Sequence, residues 1–376
     1  MYIHQNQLAN LRKSIKPNRA IIILGPRRTG KTTLLKKFLE DIKEEVFFIN
    51  GEDITARQNL ESQSIEKLKA FIGKYRWLAI DEAQKINQIG LNLKLIVDHI
   101  EGIRVIATGS SAFDLAKKVG EPLTGRKVTL KLFPLSQIEL SQNENPLQTK
   151  SKLENRLIYG TYPQIVLSRD NHEKELLLKE IISSYLYRDI LELDEIQHSA
   201  KIISLLQLLA FQIGKEVSLI ELGTQLGLNR KTVEKYLDLL EKSFVILSVR
   251  GFSRNLRKEI TKTGRYYFYD NGIRNGLINN FNSLNLRNDV GALWENYIVM
   301  ERIKKQEYTP IYANNFFWRT YDQKEIDWVE QREGKLFGYE IKWGTKIPKA
   351  PKLWTDTYPE VSWQVVNQEN YLDFIL

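Results

Sequence analysis

The stretch Ala20-Ile21-Ile22-Ile23-Leu24-Gly25-Pro26-Arg27-Arg28-Thr29-Gly30-Lys31-Thr32-Thr33 decides the fold. It opens on an apolar run of strand length and continues as G-x-x-x-x-G-K-T. A polyphosphate held at the end of a buried strand needs backbone N–H groups wrapped around it. Gly25 and Gly30 permit the backbone angles and close approach that a Cβ blocks. Lys31 offers a point charge to the β- and γ-phosphates, and the Thr32 hydroxyl suits a Mg²⁺ shell. Thr32 to Asp41 reads as a helix with Leu34, Leu35, Phe38 and Leu39 as its apolar stripe, its positive end toward the ligand. The whole loop, with Pro26, Arg27, Arg28, Thr29 and Thr33, is the expected binding segment for ATP with Mg²⁺.

Apolar strands alternate with amphipathic helices on the C-terminal side of this motif. Glu45 to Asn50 reads as a second buried strand, and Glu66 to Gly73 as a helix. Tyr75-Arg76-Trp77-Leu78-Ala79-Ile80-Asp81-Glu82 is a strand ending in two acids. Asp81 is expected to hold Mg²⁺ through water, and Glu82 to orient and polarise the attacking water. Ile86 to Ile100 is helical, and Gly102 to Ser111 is a further strand ending in small hydroxylated residues. The pattern implies α/β architecture: a parallel sheet covered on both faces, with ligand at the strand C-terminal ends.

Composition narrows the remaining chemistry. The 376 residues suit two or three domains, and 42% hydrophobic with 27% charged residues is ordinary for a globular protein. The absence of cysteine excludes disulfides, thiolate metal sites and cysteine nucleophiles, and the four scattered histidines form no ligand set. The N-terminus lacks the apolar core of a signal peptide and no apolar run approaches bilayer length, so a cytoplasmic protein with no membrane partner is expected. A net charge of +9 favours an anionic partner without identifying it.

The order of these parts resembles the bacterial and archaeal ATPases of the AAA superfamily that carry a C-terminal domain of unknown function. The resemblance rests on Gly25-Pro26-Arg27, Ile80-Asp81-Glu82-Ala83-Gln84, Thr108-Gly109-Ser110-Ser111 and Leu123-Thr124-Gly125-Arg126. Leu132-Phe133-Pro134-Leu135-Ser136 and Tyr159-Gly160-Thr161-Tyr162-Pro163 extend it over nearly the whole chain. It implies that Thr108 or Ser110 senses the γ-phosphate; the sequence does not separate them. It also offers Arg126 to a neighbouring subunit's γ-phosphate, an effect that reaches ~10³-fold or more and requires a homo-oligomer, such as a ring. The competing reading of Arg126 is a surface arginine paired with a carboxylate.

The expected core spans residues 1–145 and ends in a polar, proline-closed loop, Gln142 to Pro146. A helical lid over 146–196 follows, containing Tyr185-Leu186-Tyr187-Arg188-Asp189-Ile190. Over 197–286, Leu219 to Leu226, a glycine turn and Arg230 to Phe244 have helix-turn-helix spacing. Val245 to Val249 and Tyr266 to Tyr269 read as strands bracketing a wing, which makes a winged helix. Asn229, Arg230, Lys231 and Lys235 line the start of its second helix, and Arg254, Arg257, Lys258 and Lys262 lie in the wing, as a nucleic-acid surface requires. A purely structural module or a protein contact is the alternative.

In the last segment, 287–376, Asn288 to Glu307 is helical with Glu295 near its start. Strands Lys324 to Glu330 and Lys335 to Trp343 flank a four-residue turn, Gln331 to Gly334, which sets Asp327 opposite Gly338. Glu340 and Lys342 then share a face with Asp327. This Asp…Glu-x-Lys arrangement resembles the PD-(D/E)xK nuclease superfamily, with Ile326 where proline is usual. The resemblance implies that Glu295, Asp327 and Glu340 hold Mg²⁺ and that Lys342 positions or activates water. It leaves open whether such a domain cleaves DNA or only binds it. Together the segments suggest an ATP-driven machine that remodels DNA, such as branched DNA in repair or recombination. The rival is a nucleotide-timed regulatory switch whose winged helix binds a promoter or a protein.

Overall fold

The computed structural model describes residues 2–110, 123–184, 199–253, 264–309, 311–320, 322–358 and 360–376. Ser111, the 185–190 motif with Arg188, and the wing cations Arg254, Arg257, Lys258 and Lys262 lie outside the described residues. The chain divides into two compact units: Met1–Leu135 with Lys242–Phe244, and Ser136–Glu241 with Val245–Leu376.

The first unit is built on a five-stranded sheet of order β2-β3-β4-β1-β5. Its strands are β1 (Arg19–Leu24), β2 (Val46–Asn50), β3 (Trp77–Asp81), β4 (Arg104–Gly109) and β5 (Lys127–Lys131), and every pairing is parallel. β3 is buried along its whole length, and β1 and β4 beyond their first residue, so helices must cover both faces. On one face, Leu8, Leu11, Leu34, Leu35 and Phe38 from the helices Gln7–Ser14 and Lys31–Leu39 pack on Ile21, Ile23, Ala79 and Ile106. Each such leucine, isoleucine or phenylalanine taken fully out of water contributes about 1.5–3 kcal/mol. The edge strands β2 and β5 are only partly buried, which leaves Phe48 41% exposed. β4 lies between the phosphate-loop strand and the acidic strand. The pairs Ile23↔Thr108 and Ile80↔Ala107 bring Thr108 level with Asp81.

The second unit carries a seven-stranded sheet of order β12-β11-β10-β9-β7-β8-β6. Its strands are β6 (Glu216–Val217), β7 (Ile246–Gly251), β8 (Gly264–Phe268), β9 (Asn314–Arg319), β10 (Glu325–Arg332), β11 (Lys335–Ile341) and β12 (Ser362–Val366). β7 and β8 form the antiparallel pair expected to bracket a wing, but β7 also pairs parallel with β9 through Arg250↔Phe316. One sheet therefore runs across the expected division at residue 286. The helices Pro146–Tyr159, Asn171–Ile181, Ser199–Phe211 and Arg230–Lys242 share one apolar core, with Leu178, Leu205, Leu206, Leu209, Val233 and Leu240 at its centre. The polar stretch before Pro146 is a helix cap. Asn145 and Gln148 bond each other's backbone, and Pro146 occupies the first turn, where its missing N–H costs nothing.

The C-terminal hairpin corrects the expected register. Only Glu333 and Gly334 form the turn, both with positive φ (49° and 78°), the geometry that favours a tight two-residue hairpin. Arg332 pairs with Lys335 and Trp328 with Tyr339, so the ladder carries Asp327 toward Glu340 and not Gly338. The shared face survives the correction, since positions 338 and 340 alternate to the same side.

Candidate functional site

The phosphate loop is set by β1 and the helix Lys31–Leu39. Gly30, at φ +93°, stands just before that helix, and Arg28 also has positive φ (62°). Gly25 is required for another reason: a Cβ there meets the Leu132 carbonyl oxygen at 2.0 Å. Lys31 is 5% exposed, and its Nζ donates to the carbonyls of Gly25 (2.9 Å) and Pro26 (2.7 Å), which places the ammonium inside the loop. Thr29 Oγ1 donates to the Pro26 carbonyl at 2.9 Å, while Gln5 Nε2 donates to the Thr29 carbonyl at 2.9 Å. Thr33 points outward and is exposed, and Arg27 and Arg28 are half-buried.

The acidic strand meets this loop directly. Thr32 Oγ1 donates to Asp81 Oδ2 at 2.8 Å, and Thr108 Oγ1 donates to Asp81 Oδ1. Thr108 Oγ1 also accepts from Glu82 N at 3.2 Å. Gln84 Nε2 donates to the Glu82 carboxylate, and Gln84 Oε1 accepts from Ser110 N at 3.3 Å. Thr108 thus works through its side chain on both acids, whereas Ser110 meets Gln84 through its backbone. The geometry suits Mg²⁺, because the Thr32 hydroxyl and the Asp81 carboxylate that would hold it face each other. Gln84 and Gln5 carried no role in the sequence reading, although Gln84 closes the Ile80 to Gln84 motif on which the resemblance rests. Arg126 lies elsewhere: its backbone carbonyl accepts from Ala20 N, at the opposite end of β1 from the loop, and its Nε donates to Asp98. At about 3.3 Å per residue, the length of β1 separates Arg126 from its own loop by roughly 20 Å.

The C-terminal acids gather around two cations. Lys342 Nζ lies 2.6 Å from Glu340 Oε1 and 3.7 Å from Asp327 Oδ2, which also accepts from Ile341 N at 2.9 Å. Arg265 was not anticipated. Its Nη2 donates to Glu325 Oε2 at 2.6 Å, and its Nη1 lies 3.6 Å from Asp327 Oδ1 and 3.8 Å from Glu295 Oε1. Tyr267 donates to Glu295 Oε1 at 2.8 Å. Burial first, and Asp327 second, pushes Glu295 up to about 8 and Glu340 up to about 6. Burial opposes the charge of Lys342, yet Asp327, Glu340 and Glu295 raise its pKa above the ordinary value. Among the described residues, no group of three or more acids or histidines is disposed to hold a metal ion. Glu295, Asp327 and Glu340 come near one another, but as partners of side-chain cations.

At the helix pair Leu219–Leu226 and Arg230–Lys242, Gly227 makes the turn at φ +59° and Leu228 N donates back to the Gly223 carbonyl at 2.8 Å. Asn229 accepts from Thr232 N at 2.8 Å, so it acts as the cap of the second helix. Arg230 pairs with Glu234 at 2.8 Å on the surface, and Lys231 and Lys235 are exposed.

Comparison with known proteins agrees with the first unit. Residues 17–141 match the family described as AAA domain, so the chain carries an α/β P-loop domain of the AAA superfamily. Residues 150–284 and 290–370 match two families, each described as a domain of unknown function (DUF8612 and DUF4143). An uncharacterized protein of Mycobacterium tuberculosis is 25% identical over 338 residues, covering 89% of this chain and 72% of that one. An uncharacterized protein of Methanocaldococcus jannaschii is 26% identical over 342 residues, covering 85% and 74%. Among solved structures, a signal transduction ATPase with numerous domains and a tetratricopeptide repeat sensor, from Pyrococcus horikoshii, aligns at 14% identity and a TM-score of 0.32. That alignment covers 81% of this chain and 46% of the other. No helix among the described residues is long and apolar enough to cross a membrane.

Proposed function

We propose that this chain hydrolyses ATP at the loop Gly25 to Thr33 and couples the hydrolysis to work on nucleic acid. The observation that carries the first part is the continuous set Thr32–Asp81–Thr108–Glu82 beside the buried ammonium of Lys31. Lys31 would leave its two loop carbonyls for the phosphates, drawn by a charge that those neutral dipoles lack. Thr32 and, through water, Asp81 would hold Mg²⁺, which when bound neutralises phosphate charge. Glu82 would orient the attacking water, with Gln84 fixing its carboxylate and Thr108 its backbone.

The exposed Lys231 and Lys235, beside Arg230 at the start of one helix, together with the net charge of +9, support the nucleic-acid part. We assign Asn229 to capping and not to base contact. Arg126, remote from its own loop and paired with Asp98, would have to leave that carboxylate to reach a neighbouring copy, and we include such a homo-oligomer in the proposal. It does not include strand cleavage at the C-terminal acids, because Arg265 already stands among them.

The test is ATP turnover by the purified chain with and without forked duplex DNA. Lys31→Ala should abolish ATP binding, whereas Glu82→Gln should retain binding and lose turnover. DNA should raise turnover several-fold, and Lys231→Ala should reduce the salt dependence of DNA binding by about one unit of slope. Turnover that ignores DNA, with nucleotide tightly retained, would instead describe a switch.

A further inference from the structure

We propose that Arg265 is the permanent cation of the C-terminal carboxylate cluster, standing where the nuclease resemblance calls for a divalent metal. The site is thereby assigned as metal-free, and the proposal is independent of the ATPase reading.

A metal joining the helix to the hairpin would have to be shared by Glu295 and Asp327, with metal–oxygen distances of about 2.1 Å. One oxygen of each, Glu295 Oε1 and Asp327 Oδ1, already faces Arg265 Nη1, at 3.8 and 3.6 Å. A divalent ion between them would sit against a guanidinium whose charge repels it. Arg265 is not a surface side chain that has strayed into a vacancy. It is 3% exposed, its Nη2 is held by Glu325 at 2.6 Å, and its guanidinium lies 4.6 Å from the Phe317 ring centre. An arginine cannot be deprotonated to make room, so relief would require moving a buried side chain away from three acids at once.

The second cation completes the arrangement. Lys342 covers Glu340 Oε1 and approaches Asp327 Oδ2, and Ile341 N occupies the same Asp327 oxygen. Tyr267 takes up Glu295 Oε1 as well. Glu340 Oε2 is the one carboxylate oxygen of the cluster that is buried without a hydrogen-bond partner among the described residues. A hard cation takes six or more oxygen ligands, and the oxygens of Glu295, Asp327 and Glu340 nearest the two side-chain cations are already engaged by them. Buried acids paired in this way have a structural explanation: they tie β8, β10, β11 and the helix Val290–Tyr308 into one sheet-and-helix unit.

The experiment is a Mn²⁺ titration of the full chain without nucleotide, with free Mn²⁺ followed by electron paramagnetic resonance. Wild type, Glu340→Gln, Arg265→Gln and the Arg265→Gln/Glu340→Gln double variant are compared, with Thr32→Ala as the control for the phosphate loop. The expected result is that wild type and Glu340→Gln bind Mn²⁺ alike. Arg265→Gln, which replaces the guanidinium by a neutral amide, should gain a site at least about tenfold tighter, and the double variant should lose it. Wild-type binding that falls on Glu340→Gln would overturn the proposal, as would a folded Arg265→Gln variant with no gain. If Arg265→Gln does not fold, the comparison of wild type with Glu340→Gln still decides whether the native cluster takes a metal.

Discussion

Replacing Thr108 by valine removes one hydroxyl from the centre of the ATPase site and leaves its volume nearly unchanged. In the native chain that hydroxyl donates to Asp81 and accepts from Glu82 N, and the residue is fully buried. A hydrogen bond to a charged partner contributes about 1.5–3 kcal/mol, and its loss leaves the half-buried Glu82 N–H without that acceptor besides. If that energy fixes the two acids for hydrolysis, turnover should fall roughly ten- to hundredfold at about 1.4 kcal/mol per decade. The loop that grips the phosphates is untouched, so ATP affinity should stay within about threefold of wild type. Thr108→Ser, which keeps the hydroxyl, should recover most of the rate. Steady-state turnover, binding of a fluorescent ATP analogue and a urea midpoint to verify the fold are the three measurements needed. Unchanged turnover, or affinity that falls as far as the rate, would refute the assignment of Thr108 as the residue that positions both acids.

Three further substitutions or conditions test other parts. Gly160→Ala should destabilise the second unit by about 3 kcal/mol or more, read from urea unfolding. The position has φ +74°, and a Cβ would meet Asp270 Oδ1 at 2.0 Å, displacing a carboxylate that accepts from Thr161 N (2.7 Å) and Gly272 N (2.8 Å). Raising the pH should weaken the second unit. Glu295 holds its proton more tightly folded than unfolded, so its contribution is complete below the unfolded value of 4.5 and is lost as pH rises through about 8. Urea midpoints at pH 6 and pH 8.5 should therefore differ, and Glu295→Gln should narrow the difference. Arg126→Ala should cut turnover by ~10³-fold only under conditions where chains associate. As a mere partner of Asp98 on the surface, it would cost under about 1 kcal/mol of stability and no activity.

The phosphate loop was legible because local chemistry alone specifies it. An apolar run, two glycines and a lysine at fixed spacing leave little for tertiary structure to decide. The order of the strands was not legible, since parallel neighbours are joined through helices and sequence proximity says nothing about which strand inserts between which. That order settles the geometry of Thr108 and Ser110, two small hydroxylated residues that look equivalent along the chain. Placing β4 between β1 and β3 brings Thr108 level with Asp81. Gly25 has a second constraint that the sequence did not show: a Cβ there would meet the carbonyl of Leu132, more than a hundred residues downstream.

The C-terminal cluster shows why a motif of acids is weaker evidence than a motif of glycines. Asp327, Glu340 and Lys342 were read correctly as sharing a face, even though Gln331 and Arg332 extend the ladder and shorten the turn to Glu333 and Gly334. Periodicity survives such a slip only because it was a slip of two. What the acids do depends on the cation that meets them, and a carboxylate accepts a metal, a lysine or a guanidinium with little change in its own sequence context. Arg265 reads locally as one charged residue opening a tyrosine-rich strand, where exposure is the ordinary expectation. Its burial is fixed by Glu295, Glu325 and Asp327, which reach it because β7 joins β8 to β9 in a single sheet. The pairing of β7 with β9 is therefore the feature on which the chemistry of this site turns. A substitution that separates those strands should release Arg265 and expose the acids together.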